Sequence, residues 1–306
     1  MGGGWADTCL RSRLKRSVSG ETIDNFDRWQ SRLFLTWPMG PGFLRQSIMA
    51  YKKLKYWFDK DLAILLAEKI QKVYDRFDSQ GFVQQTADGV DDLELKARVE
   101  LIADILREKL PEDYRKAIRI LTSILGPENE NETGMFTEGY WAMPLAKYVE
   151  KYGLDHFEDS IAAIEEITKR NTGEYCIRPF IEKYPQKTLA IMKKWSTDKN
   201  VHVRRLSSEG LRPRLPWAGK LDRFIENPQP VLSVIENLKD DDSRFVQKSV
   251  ANNLNDILKD NYQIGIEIIQ KWSKRATRNR KWIIKHALRN EVKKGNPAAI
   301  KLIGNS

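Results

Sequence analysis

Apolar residues recur at three- and four-residue spacing along most of the chain, the pattern of a helix with one buried face. Two clear examples are LKYWFDKDLAILLAEKIQKVYDRF (54–77) and DLELKARVELIADILREKL (92–110), each followed by a polar turn. Leu, Lys, Glu and Ala dominate, and alternating β-branched runs bounded by hairpin turns are missing. The pattern predicts an all-α chain with loops between helices at 126–134, 212–219 and 227–230.

The C-terminal third contains three copies of a weak repeat, each an apolar helix, a short polar turn and a second helix. Aligned on Val203, Val246 and Ile283, the copies are offset by 43 and 37 residues. Helical pairs of this period are typical of HEAT-like repeats. The predicted fold is therefore a curved α-solenoid of HEAT-like helical repeats, with a continuous core and a basic concave face.

Positive charge is concentrated in the C-terminal part of the chain. The net charge is +10, and residues 188–306 hold 24 Lys and Arg against 12 Asp and Glu, while the rest holds 28 against 30. Two positions after the alignment residues stand Arg205, Lys248 and Lys285, which predicts a positive stripe along one helical face. A polyanion such as nucleic acid is the indicated partner, with a solvated row of helix residues as the alternative.

The composition excludes several classes of protein. With 306 residues, 41% hydrophobic and 31% charged, the chain is expected to be soluble and globular. No apolar run approaches the roughly 20 residues of a membrane span, and the first residues lack the apolar stretch of a signal peptide. The two cysteines, Cys9 and Cys176, and three histidines lack zinc-ligand spacing. We expect a cytoplasmic protein that uses no metal and no cofactor and does not bind a membrane.

The segment VHVRRLSSEGLRPRLPWAGKL (201–221) crowds four arginines around one acid, Glu209. The planar guanidinium binds phosphate bidentately, so these arginines are candidate phosphate contacts, with Glu209 holding one of them in place. They are Arg204, Arg205, Arg212 and Arg214. The alternative is a set of salt bridges that closes a turn of the solenoid.

The predicted second helix SVANNLNDIL (249–258) carries polar residues that helix propensity disfavours: Asn252, Asn253, Asn255 and Asp256. Each costs roughly 0.5 kcal/mol or more relative to Ala in mid-helix. Their side chains either bond phosphate or sugar oxygens of a nucleic acid or satisfy neighbouring turns inside the solenoid. The sequence leaves both interpretations open.

Two acids stand in unusual surroundings. In RNTGEYCIRPFIEKYP (170–185), Asn171 or Thr172 is expected to cap a helix whose first turn holds Glu174, with Arg178 four residues further on. In MFTEGYWAMPL (135–145), Glu138 lies beside aromatic residues, among them Tyr140 and Trp141. An acid amid aromatics suits the binding of a cation or the stabilisation of a carbocation. The alternatives are an i, i+4 ion pair for Glu174 and ordinary helix capping for Glu138.

Together, five segments resemble the AlkC-type bacterial DNA alkylation repair glycosylases of the HEAT-like-repeat superfamily. They are KKLKYWFDKDLAILLAEKI, LELKARVELIADIL, MPLAKYVEKYGLDHFEDSIAAIEEITKRNTGEYCIRPFI, VHVRRLSSEGLRPRLPWAGKL and SVANNLNDILKD. The resemblance runs in order from about residue 49 to the C-terminus, so residues 49–306 are the expected glycosylase domain and residues 1–48 an N-terminal extension that we expect to be poorly ordered. Some relatives carry an immunoglobulin-like domain after the solenoid, and we expect none here.

This resemblance implies a monofunctional, metal-independent DNA glycosylase of base excision repair. Its substrates would be cationic N3-methylated bases, 3-methyladenine and 3-methylcytosine, in double-stranded DNA held bent in the concave groove without full base flipping. The expected protein is a monomer in the bacterial cytoplasm, associated with the nucleoid through DNA. A noncatalytic HEAT-repeat scaffold for nucleic acid or an acidic protein is the alternative function.

The chemistry of such a glycosylase needs a carboxylate beside the sugar, where positive charge develops, because a methylated N3 already makes the base a good leaving group. Aromatic faces would favour the cationic base by roughly 0.5–2 kcal/mol. Glu174 is the first candidate carboxylate and Glu138 the second, followed by Asp256 and Glu209. The predicted substrate contacts are Trp141, Tyr140, Arg178, Glu209 and Trp217, although a core position is the alternative for either Trp. The predicted DNA contacts are Arg204, Arg205, Arg212, Arg214, Lys248, Asn252, Asn253, Asn255, Lys285 and Arg289.

Overall fold

A computed structural model describes residues 52–133 and 139–304, which form helices joined by turns and loops. The N-terminal helices are α1 (Lys60–Gln71), α2 (Ser79–Val90), α3 (Leu95–Lys109), α4 (Tyr114–Ser123), α5 (Met143–Tyr152) and α6 (Phe157–Thr168). The central helices are α7 (Arg178–Lys183), α8 (Pro185–Trp195), α9 (Val201–Glu209), α10 (Asp222–Glu226) and α11 (Gln229–Ile235). The C-terminal helices are α12 (Arg244–Asp260), α13 (Tyr262–Ser273), α14 (Arg278–Ala287), α15 (Arg289–Lys293) and α16 (Pro297–Gly304). Short 3-10 turns cover Leu54–Trp57, Tyr140–Ala142 and Glu236–Leu238.

Within these two ranges there is no strand, and the predicted all-α class is confirmed. The helices predicted over 54–77 and 92–110 correspond to α1, with its preceding 3-10 turn, and to α3. Loops are present at 212–219 and over the described part of 126–134, whereas the break at 227–230 is shorter because α11 begins at Gln229. The predicted extension, residues 1–48, lies outside the described residues.

Capping residues start the second helices of the C-terminal repeats. The side chains of Asn200, Ser243 and Thr277 accept hydrogen bonds from the first backbone N–H groups of α9, α12 and α14, respectively. Such caps satisfy donors that have no partner within the helix, each contributing about 1 kcal/mol. They fix where each second helix begins, and therefore which residues face its neighbours.

The second helices stack side by side, α9 against α12 and α12 against α14. The residues that aligned the repeat, Val203, Val246 and Ile283, are completely buried between the layers. On the other side, α8 and α11 pack against each other and against α9, while α13 packs against α12 and α14. A two-layered stack of helical pairs results, in which α9, α12 and α14 form one layer.

Among the residues that the structure describes, no helix is long and apolar enough to cross a membrane. Cys176 is a buried free thiol, and burial raises its pKa. Cys9 lies outside the described residues.

Candidate functional site

Glu174 lies in the turn between α6 and α7. The predicted placement in the first turn of a helix is wrong, because α7 begins only at Arg178. The Thr172 hydroxyl accepts a hydrogen bond from the Glu174 backbone N–H at 3.3 Å. Gly173 is needed at this turn, since a Cβ there would approach the Thr168 hydroxyl to 2.7 Å. The turn is thus fixed by its own side chains, and it directs Glu174 toward α9.

The Glu174 carboxylate is buried and is bound through its Oε2 atom. Arg205 Nη1 lies 2.8 Å from Oε2, and the Thr172 hydroxyl donates to the same oxygen at 3.0 Å. Burial raises the pKa of Glu174, Glu209 adds to this by repulsion, and Arg205 opposes it. The ion pair predicted with Arg178 is wrong.

Arg178 instead holds the loop that follows α9. Its guanidinium donates to the carbonyls of Gly210 at 3.1 Å, Arg212 at 3.0 Å and Gly219 at 2.5 Å. Burial lowers the pKa of Arg178 to about 10. Because three of its bonds go to one loop, this arginine determines where the 210–219 segment lies, and a substrate contact by Arg178 remains a prediction.

Glu174 is one end of a buried ion network that continues through α9 and α12. The network comprises, in order of contact, Glu174, Arg205, Glu209, Arg212, Asp256 and Lys259. Arg205 Nη2 lies 3.8 Å from Glu209, and Arg212 bridges Glu209 at 2.7 Å and Asp256 at 2.8 Å. Lys259 closes the far end, 2.9 Å from Asp256. Acids and cations alternate in equal number, which is how a protein interior tolerates so many charges.

Within the network, the central acid differs from the terminal one. Burial opposes ionisation of Glu209, but Arg205 and Arg212 outweigh it and lower its pKa, helped by the Ser249 hydroxyl, which donates at 2.6 Å. Burial likewise opposes the charge of Arg212, yet its two acid partners raise the pKa. Glu174 has one guanidinium partner, that of Arg205, and shares it with Glu209. Of the three acids, Glu174 therefore carries the least compensated negative charge.

The other two arginines of the 201–221 segment are also bound to acids. Arg204 lies 2.7 Å from Asp241 and donates to the carbonyl of Asp198 at 2.9 Å. Arg214 donates to both carboxylate oxygens of Asp260, at 2.6 and 2.5 Å. Salt bridges that close turns of the solenoid therefore account for the contacts of all four arginines, and every acid except Glu209 comes from a segment distant in sequence. Phosphate contacts by these arginines stay a prediction.

The polar residues in the middle of α12 connect neighbouring helices. Asn253 is fully buried and donates to the Ser208 carbonyl at 2.8 Å, while Asn255 donates to the Ala287 carbonyl at 2.7 Å. Both side chains are buried, so their hydrogen bonds satisfy helix carbonyls inside the solenoid, and DNA contacts by Asn253 and Asn255 stay a prediction. Asn252 is half-buried and accepts a hydrogen bond from Arg289 at 3.0 Å, so both residues still border the solvent-facing side.

Exposed cations occupy the solvent-facing side of α12 and α14. Lys248 and Lys285 are exposed, and neither forms an ion pair within the described part of the chain. Nearby, the Arg244 guanidinium lies 4.1 Å from the ring centre of Trp282, which stacks on His286 with ring centroids 4.9 Å apart. We call the surface formed by Arg244, Lys248, Trp282 and Lys285 the basic face.

Sequence reasoning missed Arg244 and Trp282. The available signal was the four-residue spacing from Arg244 to Lys248 and from Trp282 to His286, which places each pair on one helical face. A guanidinium held against an indole keeps its in-plane N–H groups directed outward.

The predicted aromatic contacts fall in two places. Tyr140 packs edge-on against Trp57, with centroids 5.0 Å apart, and Lys69 lies 4.4 Å from the ring centre of Trp141. Trp217 lies in the loop after α9 and borders a cavity that also touches Thr172. Glu138, the second candidate carboxylate, lies outside the described residues.

The structure contains three candidate acids in one network and an adjoining surface of exposed cations. In the described ranges, no group of three or more His, Cys, Asp and Glu side chains could hold a metal ion. A buried carboxylate can stabilise positive charge that develops on a substrate, and exposed cations can bind a polyanion.

Comparison with known proteins places these features in a family. Residues 96–290 match the family model described as DNA alkylation repair enzyme. The uncharacterized protein YhaZ of Bacillus subtilis (strain 168) is 37% identical over 252 residues, which span 82% of this chain and 68% of that protein. The Pseudomonas fluorescens alkylpurine DNA glycosylase AlkC, solved bound to DNA containing an abasic site analog, has a TM-score of 0.76 and 35% identity, covering 83% of this chain and 69% of that one. This similarity confirms the predicted curved solenoid of HEAT-like repeats.

Proposed function

Because the chain belongs to the DNA alkylation repair enzyme family, we propose that it is a DNA glycosylase that excises alkylated bases from double-stranded DNA. Its proposed substrates are cationic N3-methylated bases, 3-methyladenine and 3-methylcytosine. Support comes from the similarity to an alkylpurine DNA glycosylase over most of the chain and from a buried carboxylate next to a basic face.

The observation that carries this proposal is the state of Glu174. Glu209 has two guanidinium partners and Asp256 has a guanidinium and an ammonium, so their charges are fully compensated. Glu174 shares its one guanidinium, that of Arg205, with Glu209. We therefore propose Glu174 as the catalytic carboxylate, since the least compensated charge in a low-dielectric site is the one that stabilises a developing cation most.

The reaction follows from the charge of the lesion. An N3-methylated base is already cationic, so it can leave with the electron pair of the glycosidic bond without being protonated. Positive charge then develops on the sugar, where Glu174 would stabilise the oxocarbenium-like state and orient a water molecule. The water oxygen bonds to the anomeric carbon, and its proton passes to the carboxylate or to solvent. The reaction needs no covalent intermediate with an amine, which makes the enzyme monofunctional, and no metal.

DNA would be bound mainly by the basic face. Lys248 and Lys285 are exposed cations outside any ion pair of the described residues, and the guanidinium of Arg244 is oriented by Trp282. Such groups displace counterions from phosphates and bind without regard to sequence. The Arg205 guanidinium pairs with Glu174 and lies 4.6 Å from the ring centre of Phe245, the residue after Arg244, so it would link backbone binding to the position of Glu174.

We further propose that residues 49–306 form the glycosylase domain and that the protein acts as a monomer in the bacterial cytoplasm, on DNA of the nucleoid. Release of the base without full flipping, which the family resemblance implies, is part of this proposal.

Base release tests the proposal. Wild type, Glu174→Gln and Glu138→Gln are incubated with duplex DNA treated with a methylating agent, and freed bases are identified by chromatography. Glu158→Gln is the matched control, because Glu158 is an exposed acid on α6. We expect 3-methyladenine and 3-methylcytosine from wild type and from the control, with a loss of at least about 100-fold in Glu174→Gln at unchanged DNA affinity.

The outcomes separate the two functions. Full activity in Glu174→Gln and loss in Glu138→Gln would move the carboxylate to Glu138. No base release by a folded wild type that binds DNA would overturn the enzymatic proposal for these lesions and favour a noncatalytic scaffold.

A further inference from the structure

A cavity of about 440 Å³ lies beside the Glu174 turn, and its lining includes Arg178 and Trp217, two of the predicted substrate contacts. It is bounded by the N-terminal parts of α3 and α5, by residues 172–182 and by the loop at 217–221. Its apolar wall includes Leu95, Val99, Met143, Ala146, Tyr175 and Trp217. The volume falls within the range of roughly 300–1,000 Å³ that small-molecule sites occupy.

The loop that forms one wall is held in a strained conformation. Trp217 has a φ of 66°, in the left-handed region that an aromatic residue rarely adopts. Three hydrogen bonds hold the loop in this conformation. Lys96 donates to the Trp217 carbonyl at 2.5 Å, and Arg178 donates to the Gly219 carbonyl at 2.5 Å. The Tyr175 hydroxyl donates to the Pro216 carbonyl at 3.5 Å. Strain of this kind persists where surrounding contacts enforce it, and it concentrates at ligand sites.

Positive charge exceeds negative charge inside the cavity. Lys96, Lys147 and Lys220 line it together with Glu150 and Glu182. Lys147 is bound by Glu150 at 2.5 Å, whereas the hydrogen bond of Lys96 goes to a neutral carbonyl. Burial, and then repulsion by Lys147, lower the pKa of Lys96. An anionic group placed beside Lys96 would therefore be stabilised.

We propose that this cavity binds one nucleotide unit, with a heterocyclic base against Tyr175 and Trp217 and a phosphate at Lys96. Aromatic side chains accept any base by stacking, and an ammonium accepts phosphate as a point charge. The unit has two possible sources, a free nucleotide or a nucleotide of a DNA strand, and the second source rests on the proposed function. In either case the ligand lies one residue away from Glu174, because Tyr175 forms part of the cavity wall.

Calorimetric titration with deoxyadenosine 5′-monophosphate, deoxyadenosine and inorganic phosphate tests the site. We expect the monophosphate to bind at least tenfold more tightly than either fragment. Ala146→Trp fills the cavity from α5 and is expected to abolish binding, and Lys96→Gln to weaken it at least tenfold. Ala298→Trp, at an exposed position on α16, is the matched control and should bind as wild type does.

Competition then identifies the source. Displacement of the monophosphate by a short single-stranded oligonucleotide in wild type would identify a strand nucleotide as the ligand, and simultaneous binding of both would identify a free nucleotide. Monophosphate affinity that is undetectable, or equal in wild type and a folded Ala146→Trp variant, would overturn the inference.

Base release measured in the same proteins keeps the two proposals apart. Nucleotide binding without any base release would overturn the proposed function and leave the site. Base release without nucleotide binding would overturn the nucleotide site and leave the proposed function.

Discussion

The coupling of Glu174 to its two charged neighbours predicts opposite shifts in the pH dependence of base release. In the proposed mechanism ionised Glu174 is the active form, so activity should fall as the pH falls through its pKa, which burial has raised. Arg205 favours the ionised form and Glu209 disfavours it. Arg205→Gln should therefore raise the pKa of Glu174 further and move the acid limb to higher pH, whereas Glu209→Gln should move the limb to lower pH.

The sizes of the shifts follow from the contacts. At the 2.8 Å that separates Arg205 Nη1 from Glu174 Oε2, the Coulomb energy at an effective dielectric constant of 20 is about 6 kcal/mol, an upper bound. Opposite charges in contact usually move a carboxyl pKa by about 1–3 pH units, equivalent to about 1.4–4 kcal/mol. Glu209 acts on Glu174 across the guanidinium of Arg205. The downward shift of the Glu174 pKa in Glu209→Gln should therefore stay below about 1 pH unit.

Single-turnover release of 3-methyladenine, measured from about pH 5 to 9 and corrected for spontaneous loss, gives the limb for each protein. Breaking a buried ion pair can cost about 3–5 kcal/mol of folding stability, so thermal unfolding and DNA affinity are followed at every pH. Arg205→Lys keeps the positive charge, so the acid limb of its pH profile should lie close to that of wild type. Identical limbs in wild type and both variants, or shifts in the same direction, would show that Glu174 is not the titrating carboxylate.

Three further outcomes are expected. Asn253→Ala should lower the free energy of unfolding in urea by about 1–3 kcal/mol, because it breaks a buried hydrogen bond, and weakened DNA binding at unchanged stability would contradict this. Arg212→Met should cost about 3–5 kcal/mol in the same assay, since two buried acids lose a partner, and a cost below about 1 kcal/mol would contradict the role of this bridge. Lys248→Gln and Lys285→Gln should each reduce the slope of log DNA affinity against log salt concentration by about 0.9. Lys271→Gln, at an exposed position on α13, is the control and should keep the wild-type slope. Equal slopes in all variants would show that neither Lys248 nor Lys285 contacts DNA.

The helical pairs were predictable because a buried helix face imposes a period on the sequence that needs no knowledge of partners. The sequence also indicated in part which residues of neighbouring repeats meet. The last two repeats are offset by 37 residues, and the same number separates Asn252 on α12 from Arg289 on α15, which are hydrogen-bonded to each other. The start of α14 was not predicted, since Ile283 lies one turn further into its helix than Val246 does in α12. A cap at Thr277, rather than the apolar pattern, determines that start.

The ion pairs were not predictable in the same way. The i, i+4 rule joins residues within one helix, and it failed for Glu174 because the helix begins five or six residues later than a cap at Thr172 or Asn171 would place it. The actual partner, Arg205, is 31 residues away and belongs to the next helical pair. Glu209 appeared as the only acid among four arginines because the other acids arrive from α12 and from the turns before it. A sequence shows which charges must be compensated, but the stacking of repeats decides which groups do so.

Burial divides the positive charge of this protein between two kinds of cation. The interior uses arginine, because one planar guanidinium can bridge two acids in fixed directions, as Arg212 does between Glu209 and Asp256. The exposed face uses lysine at 248 and 285, where a mobile point charge is sufficient to neutralise a phosphate. Since the arginines of the buried ion network are balanced by acids, we expect most of the attraction for DNA to come from the exposed lysines and from Arg244. In the proposed mechanism the interior charges have a different task, which is to keep one carboxylate, Glu174, less compensated than the others so that it can stabilise a cationic sugar.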